Sequence, residues 1–255
     1  MNQAIVPIAL ITGGSRGLGR SSALHAARRG IDVILTYRSS GAEAEAVVRE
    51  IVSLGRRAQT LRLDTANSGS FVEFAIGLRG VLSAHWQRER FDFLVNNAGM
   101  GIHANFADTT EAQFDELMNV HLKGVFFLTQ KLLPLLEDGG RIINVSSGLA
   151  RFALPGYSAY AAMKGAVEVL SRYMAKELGP RRIAVNVVAP GAIETDFGGG
   201  MVRDDAQINA MIASQTALGR VGLPDDIGGV VAALLSRDCA WINAQRIEVS
   251  GGMYI

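Results

Sequence analysis

The sequence predicts a single α/β domain, a seven-stranded parallel sheet with helices on both faces. Three observations lead there. Short β-branched runs alternate with longer helical runs along all 255 residues, the order that strand–helix–strand crossovers produce. Stretches such as 92–95 and 185–189 are almost continuously apolar, which suits strands covered on both sides. The first run passes straight into a glycine-rich turn that opens a helix, as dinucleotide-binding sheets begin.

In chain order, strands are expected at Ile5–Thr12, Asp32–Tyr37, Arg57–Leu63, Phe91–Asn96, Arg141–Ser146, Ile183–Ala189 and Arg246–Val249. Helical periodicity falls between them, at Gly17–Arg29, Ala42–Leu54, Ser70–His85, Glu111–Leu136, Ser158–Leu178 and Asp225–Ser236. The exception is Phe197–Ala217, which holds Gly198-Gly199-Gly200 and then a weakly helical stretch. It reads either as a mobile flap over a ligand or as an ordinary surface excursion. No linker or repeat divides residues 1–255, and one α/β domain absorbs that length.

Composition removes several classes of function. With 49% apolar and 19% charged residues the chain is not disordered. Its 25 basic and 24 acidic side chains nearly cancel and form no charged tail, so no nucleic acid or anionic membrane is expected as a partner. Cys239 stands alone and cannot form an intrachain disulfide; a small filler at a helix end is the reading. His25, His85 and His103 lack a repeated ligand spacing, and no metal is expected. No basic flank precedes the first apolar run, Ala4–Thr12, and no apolar stretch reaches the ~18 residues a membrane helix needs. A cytoplasmic protein in a reducing compartment is therefore expected.

The turn reads Thr12-Gly13-Gly14-Ser15-Arg16-Gly17-Leu18-Gly19. Gly13 permits a tight bend, and Gly17 and Gly19 remove Cβ atoms where a diphosphate and the first strand approach the helix, whose N–H groups and dipole favour the phosphates. The acid that commonly binds a ribose 2′-hydroxyl is missing: Asp32 has the right separation but opens the second strand, whereas ligands lie at carboxyl ends. That end reads Thr36-Tyr37-Arg38-Ser39. Arg38 and Ser39, with Arg16 from the turn, match a 2′-phosphate, so NADP(H) is expected in preference to NAD(H).

Tyr160 and Lys164 are spaced i, i+4 on one helix face. An ammonium there favours the phenolate and lowers the tyrosine pKa, which suits a general acid/base. Ser147 lies thirteen residues before Tyr160, at the carboxyl end of the fifth strand, where its hydroxyl can bond a substrate oxygen as charge grows. Asn96-Asn97-Ala98-Gly99 closes the fourth strand at the same edge and can tie the loop backbone beside the cofactor. Asn119, inside an apolar helix, calls for a use of its amide, such as holding a water that links Lys164 to solvent.

Taken in order, Thr12–Gly19, Asp64, Asn96–Gly99, Asn119, Ser147, Tyr160-x-x-x-Lys164, and Pro190-Gly191 followed by Ile193–Thr195 resemble the motifs of the classical short-chain dehydrogenase/reductase family over nearly the whole chain. The resemblance implies a Rossmann-type doubly wound fold and a catalytic tetrad. In it Tyr160 is the acid/base, Ser147 polarises the carbonyl, Lys164 also binds the nicotinamide ribose, and Asn119 positions a proton-relay water. It further implies cofactor contacts from Gly13, Ser15 to Gly19, Arg38, Ser39, Asp64 (adenine), Asn96 (adenosine ribose), Ala98, Gly99, Pro190, Gly191, and Ile193 with Thr195 (nicotinamide amide). A homotetramer packed through the helices of Asn119 and Tyr160 is implied as well. Stretches 185–196 and 219–227 are most similar to 3-oxoacyl-acyl-carrier-protein reductases, a pattern shared with reductases of steroids, sugars and other small ketones. Departures include Asn243-Ala244-Gln245, Thr65, and His121 where asparagine is frequent.

The expected function is hydride transfer between a nicotinamide and a carbonyl or secondary alcohol carbon of a small molecule. A non-catalytic cofactor-binding regulator is the alternative, and the filled tetrad argues against it. Largely apolar residues at 148–157 and 197–217 are expected to shape the substrate pocket.

Overall fold

A computed structural model describes residues 6–255; Ile5 of the expected first strand lies outside them, as does Ala4 of the first apolar run. Seven parallel strands form one sheet in the order β3-β2-β1-β4-β5-β6-β7. They are β1 (Ile8–Ile11), β2 (Asp32–Tyr37), β3 (Ala58–Arg62), β4 (Phe91–Asn96), β5 (Leu136–Val145), β6 (Ala184–Pro190) and β7 (Arg246–Val249). The order reverses between β1 and β4, so a crevice opens there at the carboxyl ends, the place where such sheets bind ligands.

Strand alternation builds the two helical layers. Ala9 and Ile11 face one side with Val33, Leu35 and Val95, under α1 (Gly17–Arg28), α2 (Gly41–Ser53) and the late helix Pro224–Leu234. Ile8 and Leu10 face the other side with Ile34, Leu94 and Ile142, under α3 (Phe71–Trp86) and the helices that follow it. In α3 the buried Phe71, Phe74, Leu78, Leu82 and Trp86 recur at three- and four-residue steps, one stripe of a helix.

Two expected elements are corrected. The helix expected at Glu111–Leu136 is not continuous. It runs as α4 (Glu111–Met118), a π turn at Asn119–Lys123 and α5 (Gly124–Leu132), ending in a short tight turn at Leu133–Leu135. The fifth strand starts at Leu136, not Arg141, because Leu136 pairs with Phe91 before a register shift lets Arg141 pair with Phe93. The remaining helices are α6 (Ser158–Glu177), α7 (Met201–Asp204), α8 (Ala206–Ser214) and α9 (Pro224–Leu234). No helix among the described residues is long and apolar enough to cross a membrane.

Asp32 has a structural role at the opposite edge of the sheet. Its buried carboxylate accepts from Arg57 Nε at 2.9 Å and Trp86 Nε1 at 2.8 Å, which agrees with its exclusion from the ribose site.

Candidate active site

The glycine turn has the form a diphosphate needs. Gly13 (φ +66°) and Gly17 (φ +54°) are left-handed, a region open to glycine at little cost. At Gly19 a Cβ would lie 2.1 Å from the Gly13 carbonyl oxygen and 2.5 Å from Asn97 Nδ2, so glycine is obligatory there. Helix α1 has no side-chain cap at Arg16 and no acid in its first turn, leaving its leading N–H groups free for an anion. These features fit a bound dinucleotide.

Asn97 ties the turn to the next loop. Its amide donates to the Thr12 and Gly13 carbonyls at 2.8 and 3.2 Å, while Asn97 N and Ala98 N donate to Thr12 Oγ1. Asn96 is different: its amide is spent inside the core, on Asn144 Oδ1 at 2.8 Å and Thr129 Oγ1 at 3.0 Å. It is therefore turned away from the adenosine ribose it was expected to meet. Asp64 lies beside the crevice with Oδ1 accepting from Ala66 N at 3.0 Å. Arg38 and Ser39 are exposed at the end of β2, and Arg38 makes no ion pair among the described residues. Arg16 leans the other way, towards Asp196 at 3.6 Å. After β6, Gly191 N is held by the Val249 carbonyl, Ile193 bridges to Gly222, and the Thr195 methyl reaches to within 3.6 Å of where a Gly17 Cβ would stand. Thr195 thus faces the glycine turn.

The catalytic candidates gather at the same edge. Tyr160 (6% exposed) and Lys164 (5%) rise from the start of α6. Lys164 Nζ donates to the Val145 carbonyl at 2.7 Å and stands 5.6 Å from the Tyr160 ring centre. Ser147, just beyond the end of β5, stands near the tyrosine hydroxyl, and its Oγ accepts from Leu149 N. Behind it, Ser146 and Arg246 share Glu168 Oε1 at 2.7 Å each. Arg246 also donates to the Ser147 carbonyl at 3.3 Å and to Glu248. Arg151 grips the same Glu248 and the carbonyls of Met253 and Tyr254.

Electrostatics depart from the simplest expectation. Burial raises the Tyr160 phenol well above its ordinary value, and the neighbouring Ser147 hydroxyl pulls it only partly back. The expected lowering by Lys164 is not among its causes, and the same dry pocket pushes Lys164 itself down to about 7. Much of the ammonium charge is then lost near neutral pH.

Aromatic rings surround the phenol. Phe197 lies 5.5 Å from Tyr160, His121 stands edge-on to it at 5.1 Å, and His103 packs on Tyr157 at 5.2 Å. Phe197 opens the 197–217 excursion, which therefore covers the tyrosine; Gly198, Gly199 and Gly200 all have positive φ. Asn119 is half-buried at the first position of the π turn, and its amide has no hydrogen bond among the described residues. The residue of this turn that faces Tyr160 is His121. Its signal in the sequence was a departure from the familiar asparagine. Among the described residues no three His, Cys, Asp or Glu side chains cluster as a metal site requires.

Comparison with known proteins agrees with this arrangement. Residues 13–254 match the family model described as enoyl-(acyl carrier protein) reductase. An uncharacterized oxidoreductase of Methylorubrum extorquens is 37% identical, the match covering 96% of this chain and 97% of that protein. Tetrahydroxynaphthalene reductase PfmaG of Pestalotiopsis fici is 35% identical over 96% of this chain and 90% of its own. Among solved structures, the promiscuous reductase LugOII, a keto-reducing enzyme of lugdunomycin biosynthesis, superposes with a TM-score of 0.92 at 38% identity, covering 98% of both chains. The angucycline C-6 ketoreductase LanV with bound NADP gives 0.93 at 35% identity, covering 98% of this chain and 96% of that one. The chain belongs to the classical short-chain dehydrogenase/reductase family and is an oxidoreductase.

Proposed function

We propose that this protein is an NADP(H)-dependent ketoreductase acting on an aromatic or polycyclic ketone. The observation that carries the reading is the buried Tyr160 with Lys164 Nζ 5.6 Å from its ring and Ser147 nearby, at the sheet edge that holds the glycine turn. Relatives named as reductases of hydroxynaphthalenes and angucyclines support the substrate class, as does the Phe197 ring beside the phenol, since flat aromatic substrates stack on such groups.

Ser147 donates a hydrogen bond to the ketone oxygen and holds it beside Tyr160. As negative charge grows on that oxygen, Tyr160 gives up its proton. A phenol with a raised pKa stays protonated at neutral pH and is available to donate. Lys164, in the fraction that is protonated, places a positive charge next to the phenolate that forms. Bound NADPH would supply the hydride. Residues 13–19, Arg38, Ser39, Asp64, Ala98, Gly99, Pro190, Gly191, Ile193 and Thr195 would hold the cofactor, and the 197–217 excursion would cover the substrate. Reduction of 3-oxoacyl thioesters is the second reading, resting on the likeness of stretches 185–196 and 219–227 to reductases of that substrate. NADPH consumption with polycyclic aromatic ketones and with 3-oxoacyl thioesters separates the two, and turnover of neither class removes both.

Preference for NADP(H) rests on Arg38, whose side chain is exposed at the end of β2 and makes no ion pair among the described residues. A charge-assisted hydrogen bond is worth about 1.5–3 kcal/mol. Arg38→Asp should therefore lower the NADPH/NADH ratio of kcat/KM by about 10–100-fold. An unchanged ratio removes Arg38 from the phosphate site. We also infer a homotetramer, supported by the exposed Phe126 and Phe127 of α5 and Val169 and Tyr173 of α6. Light scattering that returned the mass of one chain would overturn it.

A further inference from the structure

Tyr157 is a second phenol close to the catalytic one, and the mechanism above gives it no task. It is the N-cap residue of α6, and its carbonyl accepts the Ala161 N–H at 2.8 Å. That places it three residues ahead of Tyr160, on the same side of the helix start. Its ring is half-buried and stands edge-on to His103, the ring centres 5.2 Å apart. His103 in turn lies against Gly156, where φ is +88° and a Cβ would collide with His103 Nε2. Glycine at 156 therefore lets His103 seat, and His103 holds the Tyr157 ring in place.

Three consecutive residues of the loop after β4 tie this ring to the catalytic tyrosine. Gly101 lies under Phe197, with a Cβ position 2.7 Å from that ring. Ile102 packs on the cluster that contains Tyr160. His103 meets Tyr157. On the other side, Phe197 lies 5.5 Å from Tyr160. The next residue, Gly198, would place a Cβ 3.9 Å from the Tyr157 hydroxyl. The two phenols, the loop and the 197–217 excursion thus close one circuit around the approach to Tyr160. Tyr157 also contributes to raising the Tyr160 phenol, as a second acid in the same pocket does. The Tyr157 hydroxyl caps no helix N–H and has no hydrogen-bond partner among the described residues. A phenol can both donate and accept, so this one is free for a ligand.

Resting on the reading of the substrate as an aromatic or polycyclic ketone, we propose that Tyr157 is a specificity-determining residue whose hydroxyl hydrogen-bonds a second oxygen of the substrate. That oxygen is a phenolic hydroxyl or a further carbonyl on a ring fused to the one reduced. A flat molecule held only at its reacting oxygen still turns in its own plane. A second hydrogen bond at a fixed offset removes that freedom and selects which carbonyl meets Ser147 and Tyr160. The pocket therefore takes oxygenated aromatic ketones in preference to plain ones.

Tyr157→Phe removes the hydroxyl and keeps a ring against His103. The probes are 1-tetralone and the 1-tetralones that carry one hydroxyl on the aromatic ring. In the native chain the best hydroxylated form should exceed 1-tetralone in kcat/KM by about 5–10-fold, the worth of one neutral hydrogen bond. In Tyr157→Phe that advantage should vanish, with 1-tetralone reduced at the native rate and the NADPH dissociation constant unchanged. No preference in the native chain, or an equal loss on both ketones in the variant, overturns the proposal. A second measurement needs no turnover. Quenching of bound NADPH fluorescence gives the affinities of naphthol and of dihydroxynaphthalenes in the ternary complex. The native chain should favour the best dihydroxynaphthalene by about 5–10-fold, and Tyr157→Phe should not. A preference that survives in the variant, or is missing from the native chain, overturns the proposal. If no ketone were reduced while the binding preference depended on Tyr157, the functional reading would fail and the assignment of Tyr157 would stand.

Discussion

Replacing Tyr160 by phenylalanine should lower kcat for ketone reduction by about 10³-fold, within the range that a positioned general acid contributes. The change removes one hydroxyl and leaves the ring packed against His121 and Phe197. Cofactor affinity, measured by NADPH fluorescence, should stay within a factor of two or so, because only a transition-state interaction is lost. Thermal stability should change little. The neighbouring Ser147 keeps the Leu149 N–H as a donor to its Oγ whether or not the phenol is present. Undiminished turnover in this variant would remove Tyr160 as the acid and revive the reading of a cofactor-binding regulator.

The second large effect concerns stability. Burial lowers Lys164 from an ordinary 10.5 to about 7. Between those values the unfolded chain binds the extra proton and the folded chain does not. Stability therefore falls as pH drops from 10.5 towards 7, and the full penalty is present below that window. Lys164→Met fills the same slot with an apolar chain and removes the penalty. It also leaves the Val145 carbonyl without its donor, which costs about 1–3 kcal/mol. Each pKa unit is worth about 1.4 kcal/mol, so the variant should be more stable by roughly 1–3 kcal/mol at pH 7, a rise of several degrees in melting temperature. The advantage should vanish by about pH 10. Activity should be lost throughout, the exchange expected where a destabilised group serves chemistry. Melting curves that stayed parallel across this pH range would refute the buried-charge account.

The strands were readable because a parallel sheet leaves an unmistakable mark: Leu10, Val33, Leu94 and Val188 must all be apolar when both faces are covered. The break at Asn119 was not readable. A π turn adds one residue to a helical turn without changing composition, and it moves the inward-facing position along the chain. The period of an unbroken helix therefore drew attention to Asn119 instead of His121. Asn96 shows a clue that was present and unused. It lies two residues beyond Leu94 on β4 and so shares its face, which packs against α5 and not against the crevice. The start of β5 was hidden because Glu137-Asp138-Gly139-Gly140 has the composition of a turn, while Leu136 pairs with Phe91 on long-range grounds that no local pattern records. The Tyr160–Lys164 spacing was legible from helical geometry alone. The balance of burial against charge was not, because it depends on the walls that other segments supply.

The chain of ion pairs from Ser147 to the carboxyl end has its own consequence. Arg246 holds the Ser147 carbonyl, Glu248 joins Arg246 to Arg151, and Arg151 clasps the backbone of Met253 and Tyr254. The tail thus acts as a buttress for the oxygen that must meet the substrate, though it is distant from the serine in sequence. Whatever braces or loosens those final residues, a neighbouring subunit included, is transmitted to the serine through guanidinium–carboxylate clamps.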